Sequence, residues 1–527
     1  MKNSFVELNA RERVNALLDN GRELIGPFDQ IIAPSLPAQG IVPESDDGIV
    51  VSRGTINGKQ AVVIAMEGKF QGGGIGEISG AKIVAALEHV LEENKKGNEI
   101  FPVIVLDTGG VRLQEANYGL LSISEIGNAI IALKQYVPVI GLNGPEVIEQ
   151  EAGVREFDSS DKDLIWNTLG SRQRVESKII DELVTDSVEA IKAAVIAAMD
   201  ERKDTHRSES SAFYLSLLDS LDLSKPMAID DYNEAIANHQ AKSIDLPEVA
   251  EGNEPAAASV GYDWFAALTG MKNPTSSIST VYYGKSSKFI EEAIVTSIVP
   301  DPKNPMYRVR NGEVGLVEGF RMGQILDHVY EEDKDKKVKR PIIVVIDVPS
   351  QAYGYNEELI GIHVALANSA AAYAKLRQAG HPVIGLIAGN AISGAFLAHG
   401  LQSSRLIALN NKEITVQAMS KESAARVTKR SVAEIEAAAE KVPAIAYDIN
   451  NYTKLGAIYH FLEDITDQAA SEQNVSKVIE AINEAIQDVR NTNDTMLTNR
   501  YTNETAKTFG RVETNKVRAK MDEEWDA

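Results

Sequence analysis

A buried strand followed by closely spaced glycines marks the second half of the sequence. Val383 to Ile387 is a short apolar run rich in β-branched side chains, which is typical of a strand buried on both faces of a parallel sheet. Gly389, Gly394 and Gly400 follow and predict a sharp turn into a helix whose first amides have no acceptor inside that helix. Such amides, at the positive end of a helix dipole, can hold an oxygen that carries negative charge. The stretch therefore predicts an α/β domain with the geometry of an oxyanion hole.

Two other interpretations of this stretch have to be weighed. A strand, a glycine turn and a helix recur throughout α/β proteins, where they need not bind anything. Pro382 to Leu401 is also about as long as a bilayer-crossing helix, but Asn390, Ser393 and His399 interrupt its apolar character. We therefore expect no membrane span, and a purely structural turn stays the alternative to an oxyanion hole.

The first half of the sequence contains the same pattern. Phe101 to Leu106 is a predicted buried strand that is followed by the acidic residue Asp107, and the predicted strand Ile342 to Asp347 in the second half also ends in an acidic residue. Pro138-Val-Ile-Gly141 is repeated as Pro382-Val-Ile-Gly385. The repetition of strand, turn and helix predicts an α/β fold with right-handed crossovers. Two such halves in one chain indicate an internal duplication and two similar domains.

Local patterns predict further elements in the first half. Arg11 to Ile25 has apolar residues at helical spacing and is predicted to form an amphipathic helix. Gly48 to Ser52 and Gln60 to Met66 are predicted strands on either side of an Asn57-Gly58 turn. Ile78 to Glu92 is predicted to be the helix behind a glycine turn. Together these elements extend the α/β pattern to the start of the chain.

The domain boundary is predicted where the pattern weakens. Glu248 to Ala258 is polar, small and contains proline, which is typical of a linker. We therefore assign residues 1–247 to a first domain, 248–258 to a linker and 259–527 to a second domain. The first domain departs from the repeat after Gly141, because roughly 30 residues of glycine-rich turn, helix and strand in the second half have no counterpart there. The first domain is thus predicted to lack one crossover.

Composition excludes several classes of protein. The 527 residues carry a formal net charge of −23, which argues against nucleic-acid binding because phosphate contacts need a basic face. The sequence contains no cysteine, which excludes disulfides, thiolate metal sites and a cysteine nucleophile. It shows neither an HExxH motif nor a His/Asp cluster with metal-ligand spacing, so we expect no metal site. With no apolar signal segment at the start and no transmembrane segment, we expect a cytoplasmic protein.

Several longer motifs carry a resemblance to a known family. In the first half, three segments are similar to the β subunit of malonate decarboxylase, namely Glu67–Lys82, Asp107–Asn117 and Asn143–Gly153. In the second half, five segments are similar to its γ subunit, namely Asn311–Leu316, Asp347–Gly354, Gly380–Ile384, Ser393–Gly400 and Ala425–Arg430. The resemblance covers nearly the whole chain, as two subunits fused at the predicted linker. The wider family is the acyl-CoA carboxyltransferases.

The resemblance implies a fold, a reaction and partners. The expected fold is two tandem crotonase-like carboxyltransferase domains. The expected reaction is biotin-independent decarboxylation of malonyl-S-acyl-carrier-protein to acetyl-S-acyl-carrier-protein and CO2, with the enolate stabilised by backbone amides. The implied partners are an acyl carrier protein subunit and an acyltransferase (α) subunit, with no nucleic acid and no membrane, and a homo-oligomer is left open. We expect no cofactor bound by this chain, since the CoA-derived prosthetic arm arrives on the carrier.

Two alternatives remain open for the function. A biotin-dependent malonyl carboxyltransferase would use the same fold to move the carboxyl group to a biotinylated partner, although the chain contains no biotin-carrier motif. A non-catalytic subunit is the other alternative, because the missing crossover would remove the oxyanion hole of the first domain.

The resemblance and the glycine patterns together select candidate site residues. The candidate catalytic amides are those of Gly72, Gly73, Gly74, Gly109, Gly110 and Val111 for the thioester, and of Gly389, Asn390, Gly394 and Ala395 for the departing carboxylate. The candidate substrate-binding side chains are Gln351, Tyr353 and Arg112, with Lys421, Arg426, Lys429 and Arg430 for the phosphates of the arm or for an acidic carrier. A structural role in a turn or on a solvated face is the alternative for each of them. His381 and His399 lie beside an apolar run and are predicted to be hydrogen-bonded core residues.

Overall fold

The structure is a computed structural model that describes residues 3–143, 167–201 and 207–527. The chain forms two compact units. The first unit comprises Met1–Asp204, Ser423–Ile445 and Arg511–Ala527, and the second comprises Thr205–Glu422 and Ala446–Gly510. Each unit contains its own β-sheet with helices packed against it.

Helices and strands alternate along much of the described chain, as an α/β fold requires. The helices are α1 (Ala10–Leu17), α2 (Glu77–Lys95), α3 (Ala116–Leu133), α4 (Ser171–Glu176), α5 (Val188–Asp200), α6 (Arg207–Leu218), α7 (Ile229–Asn238), α8 (Val260–Thr269), α9 (Leu316–Asp333), α10 (Tyr355–Ile360), α11 (Ile362–Gln378), α12 (Ser393–Ala398), α13 (Lys421–Thr428), α14 (Val432–Ala439), α15 (Ile449–Thr453), α16 (Glu472–Thr492), α17 (Asn499–Thr502) and α18 (Val512–Trp525). The strands are β1 (Asn20–Leu24), β2 (Ile49–Ile56), β3 (Lys59–Met66), β4 (Phe101–Leu106), β5 (Ile140–Asn143), β6 (Val249–Glu251), β7 (Pro274–Ser276), β8 (Val281–Ser286), β9 (Ala293–Ile298), β10 (Ile342–Val348), β11 (Val383–Ile392), β12 (Arg405–Leu409), β13 (Val416–Gln417) and β14 (Ile458–Leu462).

The first unit contains a five-stranded sheet in the order β1-β2-β3-β4-β5. β1, β2 and β3 are antiparallel, and β4 and β5 continue the sheet in parallel with β3. The hairpin between β2 and β3 closes at Asn57 and Gly58, which both have positive φ as a type I′ turn requires. α2 packs against α3 and α18, so the apolar side chains of these helices form the core on that side.

The second unit contains a larger sheet in the order β14-β12-β11-β10-β9-β8, with β13 paired to the end of β11. β8 and β9 form an antiparallel hairpin, and the other pairs are parallel. β10 and β11 are buried along nearly their whole length, because both consist mainly of apolar residues with neighbours on each side. α9 packs against α11 and α6.

The two units repeat the same local arrangement. In the first unit, Ile75 forms an isolated parallel bridge with Val111, just before α2. In the second unit, Val314 forms the same kind of bridge with Gln351, just before α9. In both cases a glycine is the N-cap of the helix that follows. The repeat confirms the α/β class predicted from the sequence and shows the same local arrangement in both units.

Two local predictions are corrected by the structure. The predicted helix over Arg11 to Ile25 ends at Leu17, and the following residues form the edge strand β1. The chain leaves the helix because Leu18 has an extended backbone, after which β1 pairs antiparallel with β2. The predicted linker contains a strand, since β6 pairs antiparallel with β7.

The two compact units also divide the chain differently from the predicted boundaries. Residues 205–247 pack with the second unit, whereas residues 423–445 and 511–527 pack with the first. The physical reason at the end of the chain is that α18 covers α2 of the first unit. Sequence resemblance and packing thus divide the chain in different ways.

The crossover is predicted to be missing directly after Gly141. The residues that follow, 144–166, lie outside the described residues, and so does most of the motif Asn143–Gly153. Within the described residues, β5 is the last strand on its side of the first sheet, whereas the second sheet continues beyond β11 with β12 and β14. The missing crossover therefore stays a prediction.

Two buried histidines are part of the core of the second unit. His399 Nδ1 lies 3.0 Å from the Tyr373 hydroxyl, and Nε2 lies 3.0 Å from the Val345 carbonyl oxygen, which can only accept. Nε2 therefore carries the hydrogen. Burial lowers the pKa of His399 to about 4, so the ring is neutral at pH 7. His381 is also buried, and its Nδ1 lies 2.8 Å from the Arg340 carbonyl oxygen. Both rings have the structural role predicted from the sequence.

A buried polar network joins α2, α3 and α18 in the first unit. Arg511 donates two hydrogen bonds of 2.8 Å to the carboxylate of Glu125. Glu77, the first residue of α2, accepts hydrogen bonds of 3.0 Å from the amide and the hydroxyl of Thr514. Burial raises the pKa of Glu77 to about 7 although the Arg511 cation opposes the shift. Glu77 is thus close to half protonated at neutral pH in the folded protein.

The raised pKa of Glu77 predicts a pH dependence of stability. Between about pH 4.5 and pH 7 the folded state binds more protons than the unfolded state, so the free energy of unfolding falls as the pH rises through this range. One pKa unit corresponds to about 1.4 kcal/mol, so the loss is on the order of a few kcal/mol. Glu77→Gln keeps an acceptor for Thr514 and removes the titration. We expect thermal unfolding at pH 5 and pH 7.5 to show a smaller loss of stability in Glu77→Gln than in the wild type.

The matched control is Glu92→Gln, which changes an exposed glutamate on the same helix. It should follow the wild-type pH dependence. Parallel pH profiles for the wild type and Glu77→Gln would show that Glu77 keeps an ordinary pKa in the folded protein.

Candidate functional site

The candidate site of the second unit lies where β10 and β11 end. The two strands are parallel, so their carboxyl ends meet at one edge of the sheet, where ligands bind in α/β folds. Asp347, Gln351 and Tyr353 lie in the last residues of β10 or just after it. Ser393 and Gly394 follow β11 directly and begin α12. We call these five residues the second-unit cluster.

Side chains that follow β10 hold the turn that follows β11. Gln351 is 9% exposed, and its Oε1 accepts hydrogen bonds from the Gly394 amide (3.1 Å) and from Ser393 Oγ (3.4 Å). The Tyr353 hydroxyl lies 2.9 Å from Ser393 Oγ. Because a backbone N–H identifies the acceptor end of the Gln351 side chain, its other end is the Nε2 donor. The cluster therefore offers uncharged polar groups at the edge of the sheet.

Asp347 supplies the acidic group of the cluster. Its Oδ1 accepts a hydrogen bond from the Asn390 amide, and its Oδ2 accepts one from the Gly261 amide, both at 3.1 Å. Among the described residues, no cation is paired with this carboxylate. Burial raises the pKa of Asp347, and the two amides oppose the shift. A Cβ on Gly389 would lie 2.1 Å from Asp347 Oδ1, so only glycine fits beside the carboxylate.

Ser393 has a strained backbone at the junction of β11 and α12. Its φ is +64°, a left-handed backbone conformation that residues other than glycine rarely adopt. The residue is 5% exposed, and its hydroxyl contacts Gln351 and Tyr353. Strain of this kind costs of order 1–3 kcal/mol and concentrates at functional sites. The contacts of the hydroxyl hold the residue in this conformation.

The four amides predicted to bind the departing carboxylate were expected in a turn and at the start of a helix. Their positions and hydrogen-bond partners in the structure differ from this expectation. Gly389 and Asn390 lie in β11, which continues to Ile392 instead of turning after Ile387. The Asn390 amide donates to Asp347, and the Gly394 amide donates to Gln351. Ala395 lies in the first turn of the six-residue helix α12. The side chains of the second-unit cluster thus occupy two of the four predicted amides.

The two glycine turns of the first unit are held together by their own hydrogen bonds. The Gly73 and Gly74 amides donate within the first turn, to Phe70 O (2.9 Å) and Gln71 O (3.2 Å). The Gly109 amide donates to Gly72 O (2.8 Å), and Thr108 Oγ1 donates to Gly73 O (2.5 Å) and accepts from the Gly110 amide (3.0 Å). The structure therefore brings together the six predicted residues Gly72, Gly73, Gly74, Gly109, Gly110 and Val111.

Arg112, a predicted substrate-binding residue, is instead a buried structural residue. Its Nη1 donates to Asp47 Oδ1 (2.6 Å) and to Glu115 Oε2 (3.0 Å). All three side chains are at most 1% exposed. The Asp47 carboxylate also accepts a hydrogen bond from the Ser79 amide in the first turn of α2 (2.8 Å). The guanidinium is occupied by two carboxylates, so a substrate cannot reach it in this conformation.

The four predicted basic residues do not share one helical face. α13 ends at Thr428, and Lys429 has a φ of +54° that breaks the helix. Arg426 and Lys429 are exposed, whereas Lys421 and Arg430 are partly buried. Lys421 Nζ lies 5.4 Å from the centre of the Tyr447 ring, and Arg430 Nη1 donates to Gln39 Oε1 at 3.3 Å. Arg426 and Lys429 are thus the two of the set that extend into solvent.

Within residues 3–143, 167–201 and 207–527, no group of three or more His, Asp or Glu side chains is arranged to hold a metal ion. Across the same residues, no helix combines the length and the apolar character needed to cross a bilayer.

Sequence reasoning missed Asp347 and Ser393 as members of the site. Asp347 was visible as the acidic end of a buried strand, the position from which its carboxylate reaches the next strand. Ser393 had a weaker signal, namely its place directly before Gly394 at a strand-to-helix junction. Its positive φ follows from contacts with residues about 40 positions away, which no local pattern encodes.

Family models match both halves of the chain. A model described as the carboxyl transferase domain matches residues 6–145, and one described as the malonate decarboxylase gamma subunit matches residues 309–525. The duplicated fold and these two matches define the chain as an acyl-CoA carboxyltransferase-type protein.

Two relatives and one solved structure are similar to this chain. The malonyl-S-ACP:biotin-protein carboxyltransferase MADC of Malonomonas rubra is 36% identical over 241 residues, which cover 38% of this chain and 76% of the relative. The acetyl-coenzyme A carboxylase carboxyl transferase subunits beta/alpha of Natranaerobius thermophilus are 24% identical over 544 residues, covering 94% of this chain and 85% of the relative. A chain of a Pseudomonas malonate decarboxylase hetero-tetramer crystallised with coenzyme A is 40% identical, with 51% of this chain and all of that chain covered and a TM-score of 0.47.

The chain belongs to the malonate decarboxylase branch of the carboxyltransferase family, as a fusion of β- and γ-type subunits. It is therefore an enzyme of the carboxy-lyase or carboxyltransferase type.

The tight contact between Gly394 and Gln351 predicts a coupled effect of mutations. A Cβ on Gly394 would lie 2.0 Å from Gln351 Oε1, so Gly394→Ala should displace the glutamine and reduce stability by about 1–3 kcal/mol. In a Gln351→Ala background the same change should cost much less, with a remainder from Leu366 Cδ1, which is 2.9 Å away. A double-mutant cycle measured by thermal unfolding tests this coupling.

The control for this cycle is Gln473→Ala, an exposed position on α16, which should leave the cost of Gly394→Ala unchanged. If Gly394→Ala cost the same with and without Gln351, the contact between the two residues would have no energetic role.

Proposed function

We propose that this chain decarboxylates malonyl-S-acyl-carrier-protein to acetyl-S-acyl-carrier-protein and CO2, as the β/γ part of a malonate decarboxylase complex that does not use biotin. Family membership supports the proposal. The structural observation that supports it best is the second-unit cluster, where the uncharged side chains of Gln351, Tyr353 and Ser393 lie at the same edge of the sheet as the Asp347 carboxylate. Among the described residues, no cationic side chain contacts Asp347, Gln351 or Tyr353.

The absence of a contacting cation among these residues has a catalytic consequence. Decarboxylation turns a bound carboxylate into neutral CO2, so an ion pair with that carboxylate would stabilise the ground state more than the transition state. Gln351 Nε2 and the Tyr353 hydroxyl are uncharged donors, so they would hold the carboxylate more weakly than an ion pair with an arginine or a lysine would. The carboxyl group of Asp347 nearby further disfavours a second negative charge. This environment favours departure of CO2.

The glycine turns of the first unit are a separate candidate for binding a thioester oxygen. When the C–C bond breaks, its electron pair moves into the thioester carbonyl, and the resulting enolate takes a proton from water at its carbon. Four of the six predicted amides donate inside the turns. Gly72 and Val111 are therefore the amides of these turns that we propose as oxyanion donors. One preorganised donor of this kind is worth about 10²–10³ in rate.

A biotin-dependent carboxyltransferase is the second candidate, because the relative MADC is named a malonyl-S-ACP:biotin-protein carboxyltransferase. In that reaction the carboxyl group would go to a biotinylated partner instead of leaving as CO2. A non-catalytic subunit is the third candidate, and it depends on the predicted missing crossover.

Reconstitution separates these three candidates. With an acyl carrier protein and an acyltransferase subunit added, we expect labelled malonyl-S-carrier to give CO2 and acetyl-S-carrier in equal amounts, with no effect of avidin. The chain alone should not turn over free malonate, because the sequence has no cysteine, no GxSxG motif and no ATP-binding motif that could activate the acid. Inhibition by avidin would support the biotin-dependent candidate, and a complete lack of turnover by the assembled complex would support the non-catalytic one.

The exposed cations Arg426 and Lys429 predict a docking effect. The chain carries a net charge of −23, so an acidic carrier or the phosphates of its arm need local positive charge to bind. We expect the double change Arg426→Glu and Lys429→Glu to weaken carrier binding and to flatten its salt dependence, measured by titration at two ionic strengths. Lys412→Glu is the matched control, because the Lys412 side chain is 91% exposed. Equal affinity and equal salt dependence in the double variant would mean that this face is only solvated.

A further inference from the structure

The second unit contains a cavity whose lining includes none of the residues of the second-unit cluster. Its volume is about 410 Å³, and it lies between the end of α6, the first turns of α9 and the segment before β8. Leu215, Leu218, Ile278, Met306 and Val309 supply much of its apolar wall. Cavities of about 300–1,000 Å³ with apolar walls and a few polar groups are typical of small-molecule sites.

Arg321 is the cation that lines this cavity. The residue is 7% exposed. Its Nη1 donates to the Asp245 carbonyl oxygen (2.7 Å) and to Gln324 Oε1 (3.1 Å), which are both uncharged acceptors. Its Nε–H is buried and has no hydrogen-bond acceptor. Arg321 forms no ion pair with any residue in the described ranges.

An arginine in this state is energetically unusual. Buried charges in proteins are normally paired, and an unpaired donor that is removed from water costs about 1–3 kcal/mol. Burial lowers the pKa of Arg321, although the carboxylates of Asp219 and Asp245 oppose the shift. An acceptor placed in the cavity would satisfy Nε–H and balance the charge at the same time.

The acidic groups around the cavity do not take this role. Both oxygens of Glu318 are already engaged, Oε1 by Thr280 Oγ1 (2.5 Å) and Oε2 by the Gly315 amide (3.1 Å). Burial raises the pKa of Glu318, which reduces its negative charge. Asp219 and Asp222, which also line the cavity, and Asp245, which acts on Arg321, are exposed, so water screens their charges. The buried end of the cavity is therefore suited to an anion that is paired with Arg321.

We propose that this cavity binds a monocarboxylate with a short aliphatic chain. The carboxylate accepts the Nε–H of Arg321, and the chain lies along the apolar wall formed by Leu215, Leu218 and Met306. A carboxylate is favoured because it combines charge with a planar pair of acceptors that matches a guanidinium. An aliphatic body is favoured because the wall offers no aromatic side chain for stacking.

Methionine methyl spectroscopy can observe this site directly in the full chain. The protein has ten methionines, and Met306 lines the cavity. With octanoate as the probe and ¹³C-methyl-labelled methionine, we expect a saturable shift of the Met306 signal, which is assigned with Met306→Leu. The signal of Met66, which is buried in β3 of the first unit, should stay in place. Shifts confined to methionines other than Met306 would overturn the proposal.

The same signal tests the two parts of the ligand. Arg321→Gln should weaken octanoate binding by roughly tenfold to a hundredfold, as expected for loss of a hydrogen bond to a charged group. Lys334→Gln, on the exposed end of the same helix, is the matched control and should leave binding unchanged. Affinity in the series butyrate, hexanoate and octanoate should rise by about fourfold for each methylene.

Three results would overturn the proposal. They are equal affinity in Arg321→Gln and the wild type, affinity that does not depend on chain length, and inorganic phosphate that binds as tightly as octanoate. If Arg321→Gln does not fold, the proposal is still tested by Arg321→Lys and by the chain-length series in the wild type. Both keep a positive charge at this position.

Discussion

The buried guanidinium of Arg112 anchors the segments that surround the glycine turns of the first unit. Asp47 and Glu115 share this cation, and the Asp47 carboxylate also accepts the Ser79 amide at the start of α2. Removing one partner from such a buried ion pair costs about 3–5 kcal/mol, because it leaves a charge without compensation. One cation thus ties a loop before β2, the start of a long helix and the second glycine turn together. The glycine turns thus depend on this cation as well as on their own hydrogen bonds.

The two units use the same position after a central strand in different electrostatic ways. In the first unit, Asp107 follows β4 and is paired with Arg13 at 2.7 Å. In the second unit, Asp347 occupies the matching position in β10 and accepts two backbone amides instead. Both units thus have an aspartate at this position, but the groups that contact its carboxylate differ. The consequence is that one unit has a neutralised ion pair at this edge of its sheet, whereas the other has a partly buried acid beside uncharged donors.

Much of the fold follows from local patterns in the sequence. The strand predicted at Phe101 to Leu106 has the same bounds in the structure, and the Asn57-Gly58 turn has the φ angles that its residues favour. The misplaced features depend on contacts between distant residues. Gly389 looks like a turn residue but lies in a strand. Glycine is needed at this position because the carboxylate of Asp347 leaves no room for a side chain. Arg112 resembles a ligand-binding arginine, since its partner Asp47 lies 65 residues earlier and no pattern in one sequence connects the two.

The membership of α18 in the first unit has a consequence for synthesis of the chain. Domains usually fold as units while they emerge from the ribosome, the N-terminal one first. Here the first 204 residues cannot complete their packing unit until residues 511–527 have been made, since Arg511 supplies the cation for Glu125 and α18 covers α2. The second unit, by contrast, is encoded entirely within the interval between these two pieces. The second unit can therefore complete its packing before the first, and the surface of α2 that packs against α18 stays uncovered until residues 511–527 have been made.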